Sequence, residues 1–288
     1  MILYFSGGSS PTITKFMQEH KCRRLFSYYT DKKSIESKIC DNVFVDCGAW
    51  TAFTKNKIID VKEYINYLEM HKDCFELCAG LDVIPKNNNY KVSAEQSFYN
   101  FQTMREHFGN TIQMLPTYHR GEHINNLIRL LNYTDEHGTV DYIGIGGLAS
   151  NKSAVIRDKF LLNVFDVIHK YRPDIKVHLF GLTDLSILRK YSVYSVDSTT
   201  WLIAGANGEI ITDFGRIKIS DKNFSKSGIK NICSVEHTAL RNYVSDYGFE
   251  LDDLAQNCES RQMFNVLYLK KKIDKINSSS NCRVNKLF

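Results

Sequence analysis

Three aspartates stand at the ends of short apolar runs. Val193-Tyr194-Ser195-Val196 leads into Asp197, and polar Ser198, Thr199 and Thr200 follow. Asp46 follows Asn42-Val43-Phe44-Val45, and Asp82 follows Leu77-Cys78-Ala79-Gly80-Leu81. A carboxylate at the exit of a buried strand can serve as nucleophile, as general acid or base, or as acceptor for N–H groups. Turns and helix caps also select Asp, so one such residue signifies little. Three of them on regularly spaced strands predict convergence on one pocket.

The elements that must position these carboxylates are legible as eight apolar runs before residue 200: Ile2–Phe5, Leu25–Tyr28, Val43–Asp46, Leu77–Asp82, Ile112–Thr117, Tyr142–Gly146, Val177–Phe180 and Val193–Val196. They are of strand length and lack clean alternation, the pattern of strands buried on both faces of a parallel sheet. Helical periodicity lies between most of them. It is clearest over Ser153–Tyr171, and Ala94–Phe108, Asn125–Leu131, Thr12–Glu19 and Ser34–Ile39 also read as helices. Eight strands with intervening helices predict an α/β fold, a (β/α)8 TIM barrel, with a doubly wound open sheet as the alternative.

After Trp201 the pattern changes. Gly208–Ile219 alternates like a hairpin, and Val235–Tyr247 and Leu251–Ile276 read as helices. The expected division is a catalytic barrel over residues 1–204 and a hairpin and helical extension over 205–288, packed on the barrel. Lys270, Lys271, Lys272 and Lys275 make a basic end, either a solvated helix terminus or a nucleic-acid contact. Residues 277–288 read as a frayed tail.

Composition narrows the class. The 288 residues are 43% hydrophobic and 24% charged, ordinary for a globular protein. A net charge of +5 permits a polyanionic partner without requiring one. No run approaches the roughly 18 apolar residues of a membrane span. The start, Met-Ile-Leu-Tyr-Phe-Ser-Gly-Gly, lacks the basic and long apolar regions of a signal peptide, and the eight cysteines include no CxxC pair. Reduced thiols and a cytoplasmic setting (host cytoplasm for a viral protein) are therefore expected.

In a β/α barrel the C-terminal strand ends line the active site. That rule gathers Asp46, Asp82, His119, Gly146, Gly147, Gly181 and Asp197 on one rim. An acceptor-only carboxylate suits the Watson–Crick edge of guanine, which offers N1–H and an exocyclic amine. Paired glycines let backbone approach a flat ligand. Trp50 and Phe180 offer faces for stacking a base, although aromatic residues serve cores more often than sites.

Several of these stretches resemble the motifs of the tRNA-guanine transglycosylases. Phe44-Val45-Asp46-Cys47-Gly48-Ala49-Trp50 is similar to their Asp-Ser-Gly-Gly-aromatic motif. Tyr142-Ile143-Gly144-Ile145-Gly146-Gly147-Leu148-Ala149 is similar to their Ile-Gly-Gly-Leu-Ala motif. Val177-His178-Leu179-Phe180-Gly181-Leu182 resembles their Tyr-Leu-Met-Gly motif, and Ser195-Val196-Asp197-Ser198 stands where they carry Phe-Asp-Cys. Order and spacing agree from about residue 40 to residue 202. The Asp-Ser-Thr-Thr-Trp-Leu variant and the short chain look closer still to the DpdA-like phage and bacterial branch that places 7-deazaguanines in DNA.

The resemblance implies a base exchange, in which guanine leaves C1′ of its sugar and a 7-deazaguanine of the preQ0 type replaces it. Asp197 would be the nucleophile and Asp46 the acid/base. Asp82 would read the guanine-like edge, Gly146 and Gly147 would supply backbone contacts, and Trp50 and Phe180 would sandwich the base. DNA is the expected partner and tRNA the alternative. Exchange inside a duplex requires the nucleotide to be flipped out, which would suit an accessory protein.

Two departures stand out. Where the tRNA enzymes carry Gln-Gly, this chain has Pro116-Thr117-Tyr118-His119-Arg120-Gly121, leaving His119 or Arg120 for the contact. Their close three-cysteine zinc cluster is missing. Cys233 and His237, with Cys258 further on and Cys282 in the tail, are the candidate zinc ligands, and beyond them no cofactor is expected. A barrel that binds a nucleobase or nucleic acid without catalysis is the alternative of another class. A nucleoside hydrolase using the same aspartates is a further one.

Overall fold

The computed structural model describes residues 1–148, 153–220 and 234–284, with side chains omitted at 234–236 and 280–284. The chain forms two compact units. The first comprises Met1–Gly8 and Cys22–Ser198, and the second Ser9–Lys21 and Thr199–Phe288. The early helix Pro11–Glu19 thus belongs with the C-terminal elements, and the expected division at residue 204 falls inside the helix Thr200–Ala206.

The first unit is a parallel barrel flanked by helices. Its strands are β1 (Ile2–Ser6), β2 (Arg23–Ser27), β3 (Val43–Asp46), β4 (Leu77–Ala79), β5 (Met114–Leu115) and β6 (Thr117–His119). After a small hairpin, β7 (Thr134–Asp135) and β8 (Gly138–Thr139), come β9 (Tyr142–Gly146), β10 (Lys176–Leu179) and β11 (Ser195–Ser198). The sheet runs β5-β4-β3-β2-β1-β11-β10-β9-β6. Strands β5 and β6 are two halves of one strand parted at Pro116, which has no N–H to donate. On one side Gly80 N–H donates to Leu115 O at 2.9 Å, and on the other Gly144 N–H donates to Pro116 O at 2.8 Å, so this strand closes the ring. The nine strand segments therefore make eight staves, as a (β/α)8 barrel requires.

All eight expected runs became strands; Val43–Asp46 and Tyr142–Gly146 keep their expected ends, and the other six are shifted. The last begins at Ser195 rather than Val193, so Asp197 lies within the strand rather than after it. The fifth is displaced toward His119. The helices Tyr90–Phe108, Ile124–Leu131 and Ala154–Tyr171 match the periodicity, and the last is capped by Ser153, whose side chain accepts from Ile156 N–H. Helices Ala49–Thr54, Val61–Met70 and Leu185–Lys190 were not foreseen. Asp60 and Asp184 cap the last two, the ordinary use of Asp from which the strand-end aspartates had to be told apart.

The barrel interior explains the missing alternation. Tyr4, Leu25, Phe44, Leu77, Ala79, Leu115 and Tyr142 form a buried cluster inside it. Below them Arg23 pairs with both oxygens of Glu76 at 2.7 Å, and Tyr4 Oη donates to Glu76 at 2.6 Å. Polar and apolar side chains thus share the interior while apolar side chains also cover the outside, so the strands show no simple alternation.

The second unit holds the expected hairpin, β12 (Glu209–Thr212) with β13 (Gly215–Lys218), and helices Ser234–Ser245, Leu251–Gln256 and Cys258–Val284. The single helix expected over Leu251–Ile276 is broken at Asn257, and its second part continues through Val284, past the expected start of a frayed tail. Buried Asn265 stitches the hairpin in place. Its Oδ1 accepts from Ile211 N–H at 2.7 Å, and its amide donates to Trp201 O and Glu209 O. Among the described residues no helix is long and apolar enough to cross a membrane.

Candidate active site

The site is built on the C-terminal ends of the barrel strands. Ser6 ends β1, Asp46 ends β3, His119 ends β6, Gly146 ends β9, and Asp197 lies one residue from the end of β11. Asp82 follows β4 by three residues. All belong to the first unit. The candidate side chains therefore gather at the C-terminal ends of the strands.

Asp197 is buried; two groups donate to it and an imidazole nitrogen stands within hydrogen-bond distance. Ser6 Oγ donates to Oδ2 at 2.5 Å, and Gly181 N–H donates to Oδ1 at 2.8 Å. His178 Nε2 stands 3.2 Å from the same Oδ1. The imidazole of His178 is wholly buried among the rings of Tyr4, Phe44 and Phe180. Its Nδ1 meets Ser195 Oγ at 2.5 Å, and Ser195 Oγ makes a short hydrogen bond to Tyr142 Oη. Burial pushes the Tyr142 phenol well above its ordinary range, so it stays protonated.

Asp46 lives in a different environment. Burial, then the charges of Asp82 and Asp197, push its carboxyl up to about 7, against the pull of the Gly48 and Cys47 N–H groups. Gly48 makes this geometry possible. It has φ +77° and donates to Asp46 Oδ2 at 3.0 Å, and a Cβ there would lie 2.4 Å from Ser27 Oγ. Asp46 thus lies within reach of the charges of both Asp82 and Asp197.

Asp82 is paired. His119 Nε2 lies 3.3 Å from Asp82 Oδ2, and its Nδ1 lies 3.2 Å from Glu122 Oε1. Burial draws the imidazole down, but Asp82 and Glu122 outweigh it and raise it to about 10, so His119 is a cation at neutral pH. A Cβ on Gly146 would sit 2.4 Å from the His119 ring, and one on Gly144 would sit 2.5 Å from the Phe180 ring. These two glycines therefore make room for an imidazole and an aromatic face inside the barrel mouth. Gly147, at φ +75°, lies against Arg120, whose Nε donates to Gly147 O at 3.4 Å.

The aromatic pair is divided. Phe180 stands inside, against His178 at 4.4 Å between ring centroids and Phe44 at 5.7 Å. Trp50, on the helix following β3, is 61% exposed and leans on Phe53. Thr117 Oγ1, between Gly144 and His119, is buried with no protein hydrogen-bond partner. Of the candidate zinc ligands, Cys233 lies outside the described residues, as does the Cys282 side chain. Among the described residues no group of three or more His, Cys, Asp or Glu stands close enough to hold a metal.

Sequence reasoning did not single out Ser6, Glu122, Tyr142, His178 or Ser195 as site residues. The available signal was parity. Ser195 and Asp197 share one face of β11, as His178 and Phe180 share one face of the β10 run, and a polar side chain on the inward parity of a barrel strand must find a partner. The chain matches no family model and no curated protein.

Proposed function

We propose that this chain is a guanine transglycosylase of nucleic acid, exchanging guanine for a 7-deazaguanine in DNA through a covalent Asp197–sugar intermediate. The observation that carries this reading is the contrast between two carboxylates in one barrel mouth. Asp46 is held near neutrality at about 7 by burial and by two neighbouring charges, whereas Asp197 receives hydrogen bonds from Ser6 and Gly181 and meets the His178 ring. Two carboxyl groups in opposed environments are the signature of divided acid and nucleophile roles.

The balanced sequence has two displacements. The Asp197 carboxylate attacks C1′ while the C1′–N9 bond breaks. Its electron pair leaves with guanine, which takes the Asp46 proton. The incoming base then gives a ring N–H proton to Asp46 and attacks C1′, and the Asp197 carboxylate is restored. A group near 7 is suited to both the giving and the taking. Asp82, held by His119, faces the N–H edge of the base, and the orphaned Thr117 hydroxyl offers a further polar contact. The choice of DNA over tRNA rests on the Asp197-Ser198-Thr199-Thr200-Trp201-Leu202 resemblance.

The test supplies purified protein with radiolabelled guanine or 7-deazaguanines and counts label in duplex DNA, single-stranded DNA and tRNA. Label in DNA is expected, with a loss of about 10³-fold or more for Asp197→Ala. Label in tRNA alone would keep the chemistry and overturn the substrate. No label in any polymer, with lysate added to supply a partner, would sink the reading.

A further inference from the structure

Hydrogen-bond direction at the buried end of Asp197 assigns roles that the three aspartates alone do not. A phenol, a hydroxyl and an imidazole stand in line: Tyr142 Oη, Ser195 Oγ, His178 Nδ1, then His178 Nε2 and Asp197 Oδ1. All three residues behind the aspartate are buried, where an arrangement that gives every polar hydrogen an acceptor is strongly favoured. Suppose Ser195 accepted from His178 Nδ1–H. Its own hydrogen would then turn to Tyr142, and the phenol hydrogen would have no acceptor among the described residues. Run the other way, the line closes. Tyr142 O–H donates to Ser195, Ser195 O–H donates to a bare Nδ1, and the imidazole hydrogen sits on Nε2, aimed at Asp197.

The two oxygens of Asp197 are thereby made unequal. A carboxylate oxygen has two acceptor directions. Oδ1 fills both, with Gly181 N–H and His178 Nε2–H, whereas Oδ2 fills one, with Ser6 O–H. Building on the base-exchange reading, we propose that Asp197 attacks through Oδ2, and that His178, fixed by Ser195 and Tyr142, is a positioning residue that holds Oδ1 as the carbonyl oxygen of the glycosyl ester. In the first displacement the Oδ2–C1′ bond forms as C1′–N9 breaks. In the second, Oδ2–C1′ breaks and its electron pair returns to the carboxylate, where Gly181 and His178 already face the returning charge. Preorganised donors at the place where charge develops are an efficient form of catalysis. The groups around this carboxylate are Ser6 on β1, His178 and Gly181 at β10, with Ser195 behind His178, and the charge of Asp46 across the mouth.

Two measurements test the proposal. Nitrogen-15 NMR of histidine-labelled, ligand-free full-length protein reads the His178 tautomer without any substrate. A hydrogen on Nε2 is expected at neutral pH, and a hydrogen on Nδ1 alone or on both nitrogens overturns the assignment. In the exchange assay, His178→Asn withdraws the donor from Asp197 and is expected to lower the exchange rate about 10²-fold, as loss of a preorganised donor does. His178→Gln places an amide N–H where Nε2 stood and is expected to recover most of that loss. Equal damage from both variants, in protein that melts like wild type, overturns the positioning role. A structure of the trapped adduct should show the sugar on the oxygen beside Ser6, and the sugar on the oxygen beside His178 overturns the choice of Oδ2. If wild type exchanges no base at all, the transglycosylase reading has failed, while the tautomer measurement still decides the direction of the line.

Discussion

At the scale of single residues, two titrating groups dominate the mouth of the barrel: Asp46 is poised near neutrality and His119 is held as a cation. Asp46 rises from 3.8 to about 7 because folding buries it beside other carboxylates. The neutral form is favoured by the fold, so no cost is felt below about pH 4, and the cost grows until it is complete above about 7. His119 rises from 6.5 to about 10 between two carboxylates. Its contribution is full below 6.5 and is lost as pH rises through about 10. Thermal melts should therefore show stability falling across two adjacent windows. Asp46→Asn should remove the fall between about pH 4 and 7, and His119→Gln the fall between about 6.5 and 10, each worth on the order of 4–5 kcal/mol. Asp46→Asn should also slow base exchange by about 10²–10⁴-fold, the range for loss of a general acid. Melts that keep both slopes in the variants would count against these assignments.

At the scale of elements, the barrel strands work as rulers with a period of two. Inward positions of β9 are Tyr142, Gly144 and Gly146, and the two glycines yield their space to Phe180 and His119 from the neighbouring strands. Gly146→Ala places a methyl group 2.4 Å from the His119 ring, which must move and loosen its hold on Asp82. The expected cost is about 1–3 kcal/mol of stability, the range for overpacking, together with a raised KM for the incoming base. A calorimetric melt and the exchange assay measure the two effects separately. Buried Arg24 supports the same rim from the next strand. It donates to Phe5 O at 3.1 Å and to Gly7 O at 2.5 Å, the carbonyls on either side of Ser6. Fixing that backbone fixes the hydroxyl that meets Asp197.

At the scale of the molecule, charge is less available than its sum suggests. Three lysines of the basic helix end are engaged within their own unit. Lys272 pairs with Asp213 at 2.6 Å, Lys271 lies over the Tyr247 ring at 4.0 Å, and Lys270 is 3.6 Å from Asp274. The double change Lys270→Gln, Lys271→Gln should therefore shift the salt dependence of DNA binding by less than the slope of about 0.9 that one phosphate contact contributes. A filter-binding titration across salt concentration checks this, and a larger shift would return these lysines to the nucleic-acid interface. The sequence by itself determined the eight staves, the later hairpin and the three aspartates at strand ends, because strand length, turn residues and hydrophobic runs are local properties. Helices such as Val61–Met70 and Leu185–Lys190, and the break at Asn257, escaped because short amphipathic segments draw their stability from packing. Closure of the ring at Pro116, the pairing of His119 with Asp82 and the line from Tyr142 to Asp197 were decided only by the tertiary structure. Ser6 and Asp197 are 191 residues apart in sequence, and no local pattern links them. They meet because β1 and β11 become neighbours when the barrel closes, and burial there turns ordinary side chains into groups that must satisfy one another.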